Sequence, residues 1–230
     1  MKDLKNFKNI TILSGAGLSQ ESGIKTFRDS NGLWENHPIE EVASPEGFRD
    51  NPKLVQTFYN LRRKQLFEVE PNLAHTAIAE LANNKDKNLT IITQNVDDLH
   101  ERAGARDVIH MHGELRKIRN IKTGESKYFE GSIEAGDYDK WRPDIVWFGE
   151  QIKDFDIIHQ SLQNTEVFMA VGTSSQVFPA AQFFQFAKEN GAYCIELNLE
   201  KTQMSSKYDL SIQGKASKIV PDFINKYINE

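Results

Sequence analysis

Three short segments of this chain carry residue types that chemistry requires, each placed where an apolar run gives way to polar residues. The first, TILSGAGLSQESGIKTFR over Thr11–Arg28, bends at Gly15 and Gly17. A glycine-rich bend between a strand and a helix lets backbone N–H groups approach a pyrophosphate, whose charge the helix N-terminus also favours. Ser19 adds a hydroxyl and Arg28 a guanidinium fork. The second segment, TQNVDDLH over Thr93–His100, brings Gln94, Asn95, Asp97 and His100 together after the apolar Leu89–Thr93. These read either as helix caps with a packed histidine or as the polar wall of a site. Two strand ends bearing such groups favour the site for Gln94, Asn95 and Asp97 and leave His100 structural. The third is MHGEL over Met111–Leu115, where His112 stands beside Gly113 with room for a ligand. A neutral imidazole near pH 7 is a suitable acceptor for a proton from an activated hydroxyl. The bend lacks the GxGxxG spacing, and no acidic residue ends the following strand, so hydride transfer of the usual dehydrogenase kind fits poorly.

Two further groupings are open to more than one reading. Trp147–Phe148–Gly149–Glu150 sets aromatic bulk beside a glycine, as a core strand with its turn or as a strand edge that accepts an extended peptide. Tyr59 and Arg62 stand three apart on one helical face and suit recognition of a carboxylate. The plainer alternative makes Arg62 and Arg63 solvated charge.

The elements that must position these groups follow from periodicity. Ile10–Leu13, Leu89–Thr93, Val108–His110, Val167–Val171 and Tyr193–Leu197 read as strands, and Pro52–Val69, Asn72–Leu81, Ala180–Ala187 and Ile219–Tyr227 as helices. Asp29–Gly32 and Pro38 mark a turn-rich departure, and Lys117–Trp141 is a polar excursion with little core of its own. Strands alternating with helices predict an α/β fold, a parallel sheet covered on both faces with ligands at the strands' carboxyl ends.

At 230 residues the chain can bury a sizeable core. A net charge of −5 gives no general attraction to a nucleic-acid backbone. Its one cysteine, Cys194, excludes an intramolecular disulfide and any Cys-pair zinc site, and reads as a small buried strand residue without a catalytic role. No apolar stretch reaches membrane-spanning length and the N-terminus lacks a secretion signal, so the expected location is cytoplasmic.

Taken in order, GAGLSQESGIKTFR, TQNVDDLH, HG, RPDIVWFGE, GTSSQVFPA and NLE resemble the motif series of the sirtuins, the NAD-dependent protein-lysine deacylases, from about Ile10 into the C-terminal helix. The resemblance implies a Rossmann-like sheet in a single catalytic domain spanning residues 1–230. Residues 29–70 (helical) and 114–141 would form a small insertion-built module. It implies NAD as cofactor, with Gly15, Ala16, Gly17, Ser19 and Arg28 at the phosphates and ribose. Ile24, Phe27 and Asp97 would line or order the nicotinamide pocket, Gln94 and Asn95 would hold the adjoining ribose, and Gly172, Ser174, Asn198 and Glu200 the adenosine half. His112 matches the catalytic histidine, with Asn95 and Asp97 beside it. Ile145, Val146 and Trp147 would pair with substrate backbone, and Phe148 and Gly149 would flank the acyl-lysine channel.

The implied reaction begins with the acyl oxygen of lysine attacking ribose C1′ as nicotinamide leaves. His112 then takes the proton of a ribose hydroxyl, and water completes the path to free lysine and 2′-O-acyl-ADP-ribose. Within the family, FYNLRR at Phe58–Arg63 resembles the Tyr-x-x-Arg element of members that remove succinyl, malonyl or glutaryl groups, with Tyr59 and Arg62 on the distal carboxylate and acetyl still accepted. The expected partners are acylated-lysine proteins or peptides, with no specific nucleic acid and no membrane, and the expected state is a monomer.

One departure is large. Most sirtuins hold a structural zinc by two cysteine pairs between the HG and RP motifs, and Gly113–Arg142 contains no cysteine. Glu125, Glu130, Glu134, Asp137 and Asp139 supply only exposed oxygens, a poor zinc cage. The expectation is a zinc-free module packed by Ile118, Tyr128, Phe129, Tyr138 and Trp141. The rivals are an NAD hydrolase or ADP-ribosyltransferase on the same scaffold, and a non-catalytic NAD-sensing or interaction protein in which His112 is idle.

Overall fold

The computed structural model describes residues 4–24, 33–34 and 37–229. The expected sites Phe27 and Arg28 and the turn at Asp29–Gly32 lie outside them. Along the chain, β1 (Asn9–Ser14) leads into the four-residue α1 (Ala16–Ser19). Two-residue strands β2 (Leu33–Trp34) and β3 (His37–Pro38) precede α2 (Ile39–Val42), α3 (Pro45–Asp50) and α4 (Pro52–Gln65). There follow α5 (Leu73–Ala82), β4 (Asn88–Thr93), α6 (Leu99–Arg102), β5 (Ile109–His110), β6 (Gly113–Asn120), β7 (Ser126–Tyr128) and β8 (Trp141–Ile145). The remainder is α7 (Phe155–Asn164), β9 (Val167–Val171), α8 (Ala180–Glu189), β10 (Tyr193–Asn198), β11 (Leu210–Gln213) and α9 (Ala216–Ile224).

The main sheet is parallel throughout, in the order β11-β10-β9-β1-β4-β5. Its central strands are near-continuous apolar runs because both faces are covered; every residue of β9 is buried. On one face α5 and α9 pack Ile78, Leu81, Val220 and Phe223 against Ile10, Ile12 and Met169. On the other, α7 and α8 bring Ile158, Leu162, Phe183 and Phe184 to Leu13, Phe168 and Cys194. Each such side chain contributes roughly 1.5–3 kcal/mol on burial. The Cys194 thiol is fully buried and pushed up to about 12, chiefly by burial.

The chain fills the sheet outward from β1 through β4 to β5, then returns to add β9, β10 and β11 on the other side. The order therefore reverses between β1 and β9, and their carboxyl ends are where a doubly wound sheet opens a crevice. Here three glycines let two turns pack backbone to backbone. The Gly17 N–H donates to the Gly172 carbonyl at 2.8 Å. An added Cβ on Gly172, whose φ is +60°, would lie 2.3 Å from the Leu18 nitrogen. Neither neighbour is a flexible side chain, so Gly172→Ala is expected to cost roughly 2–5 kcal/mol from left-handed strain and overpacking. In a domain of this size that lowers the thermal midpoint by on the order of 10 °C; an unchanged melting curve would refute the crowding argument.

Lys117–Trp141 has little core of its own, as the sequence predicts, but it is not irregular: it supplies β7 and parts of β6 and β8 to an antiparallel sheet in the order β7-β6-β8, whose inner face packs on α2 and α4. Val42, Val55, Phe58 and Tyr59 meet Leu115, Ile145 and Trp147 there. The alternation was illegible because a register shift between Glu114 and Ile118 breaks the period of two, and because α4 supplies half the core. Of the residues expected to pack this module, Ile118 is buried, Phe129, Tyr138 and Trp141 are half-buried, and Tyr128 is 57 % exposed. Tyr128 instead stands outward with the Arg116 guanidinium 5.0 Å from its ring centre.

The segment is tied to α4 by polar contacts. The buried Arg63 donates from Nε to the Leu115 carbonyl at 2.7 Å and from Nη1 to Asn60 and Gly131. Arg63 is therefore part of the interior, against the plainer reading of a solvated charge. The oxygens that a metal would need are engaged elsewhere: Glu130 by Arg116 and Tyr128, Asp137 by Lys140, Asp144 by Ser126 and Lys153. Among the described residues no three His, Cys, Asp or Glu side chains cluster as metal ligands. The residues present thus do not fit a structural zinc cage. Among the described residues, too, no helix is long and apolar enough to cross a membrane.

Candidate functional site

A cavity of about 1050 Å³ lies over the carboxyl ends of the central strands, between the sheet and the smaller antiparallel module. Every described residue singled out from the sequence as catalytic, cofactor-binding or substrate-binding lines it. His100 does not; it is buried beneath, its Nε2 2.9 Å from the Ser14 hydroxyl.

The polar wall is built by the ends of β1, β4, β9 and β10. The Gln94 N–H donates to the Ser14 carbonyl, while its side-chain amide donates to the Thr173 hydroxyl at 2.8 Å. Asn95 is buried and donates from Nδ2 to Ser19 Oγ at 3.0 Å and to the Gly15 carbonyl at 3.2 Å, which locks the glycine turn to the end of β4. Asn198 donates to the Thr173 carbonyl at 2.8 Å. Thr173 thus joins the turn after β9 to two amides, a role that its place in GTSSQ hides behind more obvious glycines and serines.

His112 Nδ1 lies 3.0 Å from the Gln94 carbonyl. A carbonyl only accepts, so Nδ1 carries the hydrogen and Nε2 keeps a lone pair. Burial lowers the pKa of His112 from its ordinary value, opposed by the Gln94 carbonyl. The ring is therefore held neutral and available as a proton acceptor below the usual histidine range. Asp97 is buried with one oxygen accepting from the Leu99 N–H at 3.1 Å, and desolvation raises its carboxyl to about 6. A carboxyl so poised lines the cavity without a full charge at mildly acidic pH.

Below the glycine turn His75 and His100 meet edge to face, ring centres 5.2 Å apart. Burial lowers them to about 4 and about 3. The unfolded chain takes up these protons near pH 6.5 and the folded chain only well below it, so their contribution is complete above 6.5 and is lost as pH falls. The expected cost is about 2 kcal/mol for each ring by pH 5. Asp97 runs the other way, since its folded carboxyl is protonated first, and offsets part of one histidine. Urea midpoints should fall between pH 7 and pH 5, and His100→Gln should flatten that slope; an equal slope in both proteins would refute the assignment.

The far wall belongs to the antiparallel module. Tyr59 and Arg62 reach it from α4 and Ile145–Gly149 from the end of β8. Ile145 pairs with Gly113, the neighbour of His112, so the module's sheet fixes this wall against the histidine. The amides of Val146, Trp147 and Phe148 are donated within the chain, to the His112 carbonyl, the Glu150 carboxylate and the Ala43 carbonyl. This narrows the expectation that Ile145–Trp147 pair with a peptide: those three N–H groups are engaged, and the Ile145 and Trp147 carbonyls already accept from Arg142 and from the Glu150 N–H. Arg142 and Glu150, members of the RPDIVWFGE motif that sequence reasoning left without a role, form a two-point ion pair at 2.7 and 2.9 Å. Phe148, Phe155 and Phe178 are exposed at the mouth.

The polar lining suits a dinucleotide: hydroxyls from Ser19 and Ser174, the side-chain carbonyl oxygens of Gln94 and Asn95, and the Glu200 carboxylate to accept from sugar hydroxyls. A sequence profile described as the Sir2 family matches residues 15–179. An NAD-dependent protein deacylase of Pasteurella multocida is 50% identical over 95% of this chain and 97% of its own. The NAD-dependent protein deacylase SIR2rp3 of Leishmania major is 49% identical over 99% and 98%. Among solved structures, a Sir2 homolog–NAD complex superposes with a TM-score of 0.88 at 37% identity, over 96% of this chain and 90% of that one. A mutant Sir2 homologue bound to ADP ribose gives a TM-score of 0.91 at 36% identity, over 97% and 93%.

Proposed function

Because the chain belongs to the Sir2 family, we propose that it is an NAD-dependent protein-lysine deacylase that accepts succinyl, malonyl and glutaryl groups as well as acetyl. The reading is supported above all by one juxtaposition. A single cavity joins His112 and the amides of Gln94 and Asn95 on one wall to Tyr59 and Arg62 on the other. The small module requires no zinc, since its sheet is closed by α4 and by Arg63.

NAD, when bound, supplies an electrophilic ribose carbon with nicotinamide as leaving group. The glycine turn and Ser19 hold its phosphate side, Gln94 and Asn95 its nearer ribose, Gly172, Ser174, Asn198 and Glu200 its adenosine end. Asp97 and Ile24 order the nicotinamide side. His112 accepts the ribose hydroxyl proton at Nε2, the nitrogen left free of hydrogen by the Gln94 carbonyl. Phe148 and Gly149 flank the acyl-lysine, and the Arg62 guanidinium takes the distal carboxylate through a charge-assisted bond.

The test is a mass-spectrometric NAD assay with acetyl-, succinyl-, malonyl- and glutaryl-lysine peptides beside a peptide-free control. Acyl-ADP-ribose formed only with peptide, and from acidic acyl groups among them, is the expected result. Equal nicotinamide release without peptide would make NAD hydrolysis the primary activity and overturn the deacylase.

A further inference from the structure

Glu196 stands on β10 just before the strand's end at Asn198, and its side chain is fully buried. A carboxylate taken out of water costs several kcal/mol unless its oxygens are satisfied. Here three hydroxyls satisfy them. Thr202 Oγ1 donates to Oε1 at 2.5 Å, while Ser205 and Ser211 both donate to Oε2, Ser211 at 2.7 Å. The donors come from two places. Ser211 belongs to the neighbouring strand β11, in register with Glu196. Thr202 and Ser205 belong to the segment between β10 and β11, and they fasten each other. The Thr202 N–H donates to Ser205 Oγ at 2.8 Å, and the Ser205 N–H to the Thr202 carbonyl at 3.2 Å.

The bond from Thr202 to Glu196 therefore closes residues 196–202 into a small loop. Asn198, Leu199 and Glu200, the cavity-lining residues at this strand end, all lie inside it. Asn198 is also held from outside the loop: its side chain donates to the Thr173 carbonyl, and its own carbonyl accepts the Gly214 N–H at 2.9 Å. Glu200 is different. It is exposed, and its side chain makes no hydrogen bond or ion pair among the described residues. Its place over the cavity is set by the backbone, with Asn198 fixed on one side and Thr202 on the other.

We propose, resting on the NAD reading above, that Glu196 is a positioning residue for the adenosine end of the cofactor. By holding Thr202 it closes the loop that presents the Glu200 carboxylate to the sugar hydroxyls there. A loop free to open loses part of its binding energy to being ordered when the ligand arrives, and a loop closed beforehand does not. Glu196 itself never reaches the cavity; it acts through Thr202 and the backbone between them.

The experiment measures ADP-ribose affinity by titration calorimetry on the whole chain, which needs neither peptide nor turnover. E196Q keeps the size of the side chain but replaces one accepting oxygen by an amide, and T202V removes the closing hydroxyl alone. Each is expected to weaken ADP-ribose about tenfold, one net hydrogen bond. S211A takes a hydroxyl from the same carboxylate without opening the loop, and should bind ADP-ribose as wild type does. Melting curves recorded beside the titrations separate closure from general loosening: T202V and S211A should both lower the midpoint, but only T202V should lose affinity. In an E200Q background T202V should add no further loss. In turnover, T202V should raise KM for NAD and leave KM for the peptide unchanged. Equal weakening by T202V and S211A, or the same loss from T202V with and without the Glu200 carboxylate, would make Glu196 a stability residue and overturn the proposal. An E200Q protein that binds ADP-ribose as tightly as wild type would remove Glu200 from the adenosine end, and the proposal with it. Wild type that binds no ADP-ribose would instead overturn the assignment of the cavity to NAD, on which the proposal stands.

Discussion

Replacing His112 by alanine is expected to lower peptide deacylation by about 10²–10⁴-fold, the usual share of a positioned general base. The loss should fall on kcat rather than on the affinity for NAD, because the nucleotide's contacts are assigned to the glycine turn and the amides. It follows from the Nδ1–Gln94 bond, which sets the tautomer, and from burial, which keeps the ring neutral. Wild-type kcat should hold its value into mildly acidic buffer before it falls, since the lowered pKa places the protonation step below the ordinary histidine range. Steady-state kinetics with the acetyl peptide across pH 5–8 reads both features. Full turnover by H112A would leave the non-catalytic reading as the better one.

The second large effect is expected at Arg62. Removing one partner of a desolvated charge pair costs about 2–5 kcal/mol, most of it from the charge left without its partner. Arg62→Met should therefore lower kcat/KM for a succinyl-lysine peptide by about 10²–10³-fold. The longer apolar side chain retains the packing on Phe58, over whose ring the guanidinium sits at 5.4 Å. For an acetyl-lysine peptide the change should be far smaller, so the ratio of the two is the quantity to measure. A parallel fall on both peptides would show that Arg62 organises α4 and does not read the acyl group.

How much of this was visible in the chain depends on who supplies each element's partner. β1, β9, β10 and the second half of β4 are self-evident because both faces are buried, and the apolar run is its own signature. The strand ends were equally legible, since glycines, amides and a histidine after such runs have few other uses. The antiparallel module was not. β7 is exposed along its whole length, β6 is interrupted by its register shift, and their core belongs to α4, some fifty residues away in sequence. α7 carries little signal for a similar reason: two residues, Ile158 and Leu162, are its buried side, and the rest is polar or exposed. Contacts in the cavity wall such as Trp147 with Tyr59 join residues 88 positions apart and carry no local signal.

The position of Cys194 has a practical side. Its sulfur lies inside the sheet–helix interface, 3.6 Å from the carbonyls of Phe184 and Ala192, and its ionisation is suppressed. Alkylating reagents and peroxide act on thiolates within reach of solvent, and this chain has no other thiol to present. Catalysis should consequently run undisturbed under oxidising stress that inactivates thiol-dependent enzymes. For the experimenter, the native chain is already a silent background: a cysteine placed at exposed Phe178 would be the single site to take a maleimide dye and report peptide arrival at the mouth.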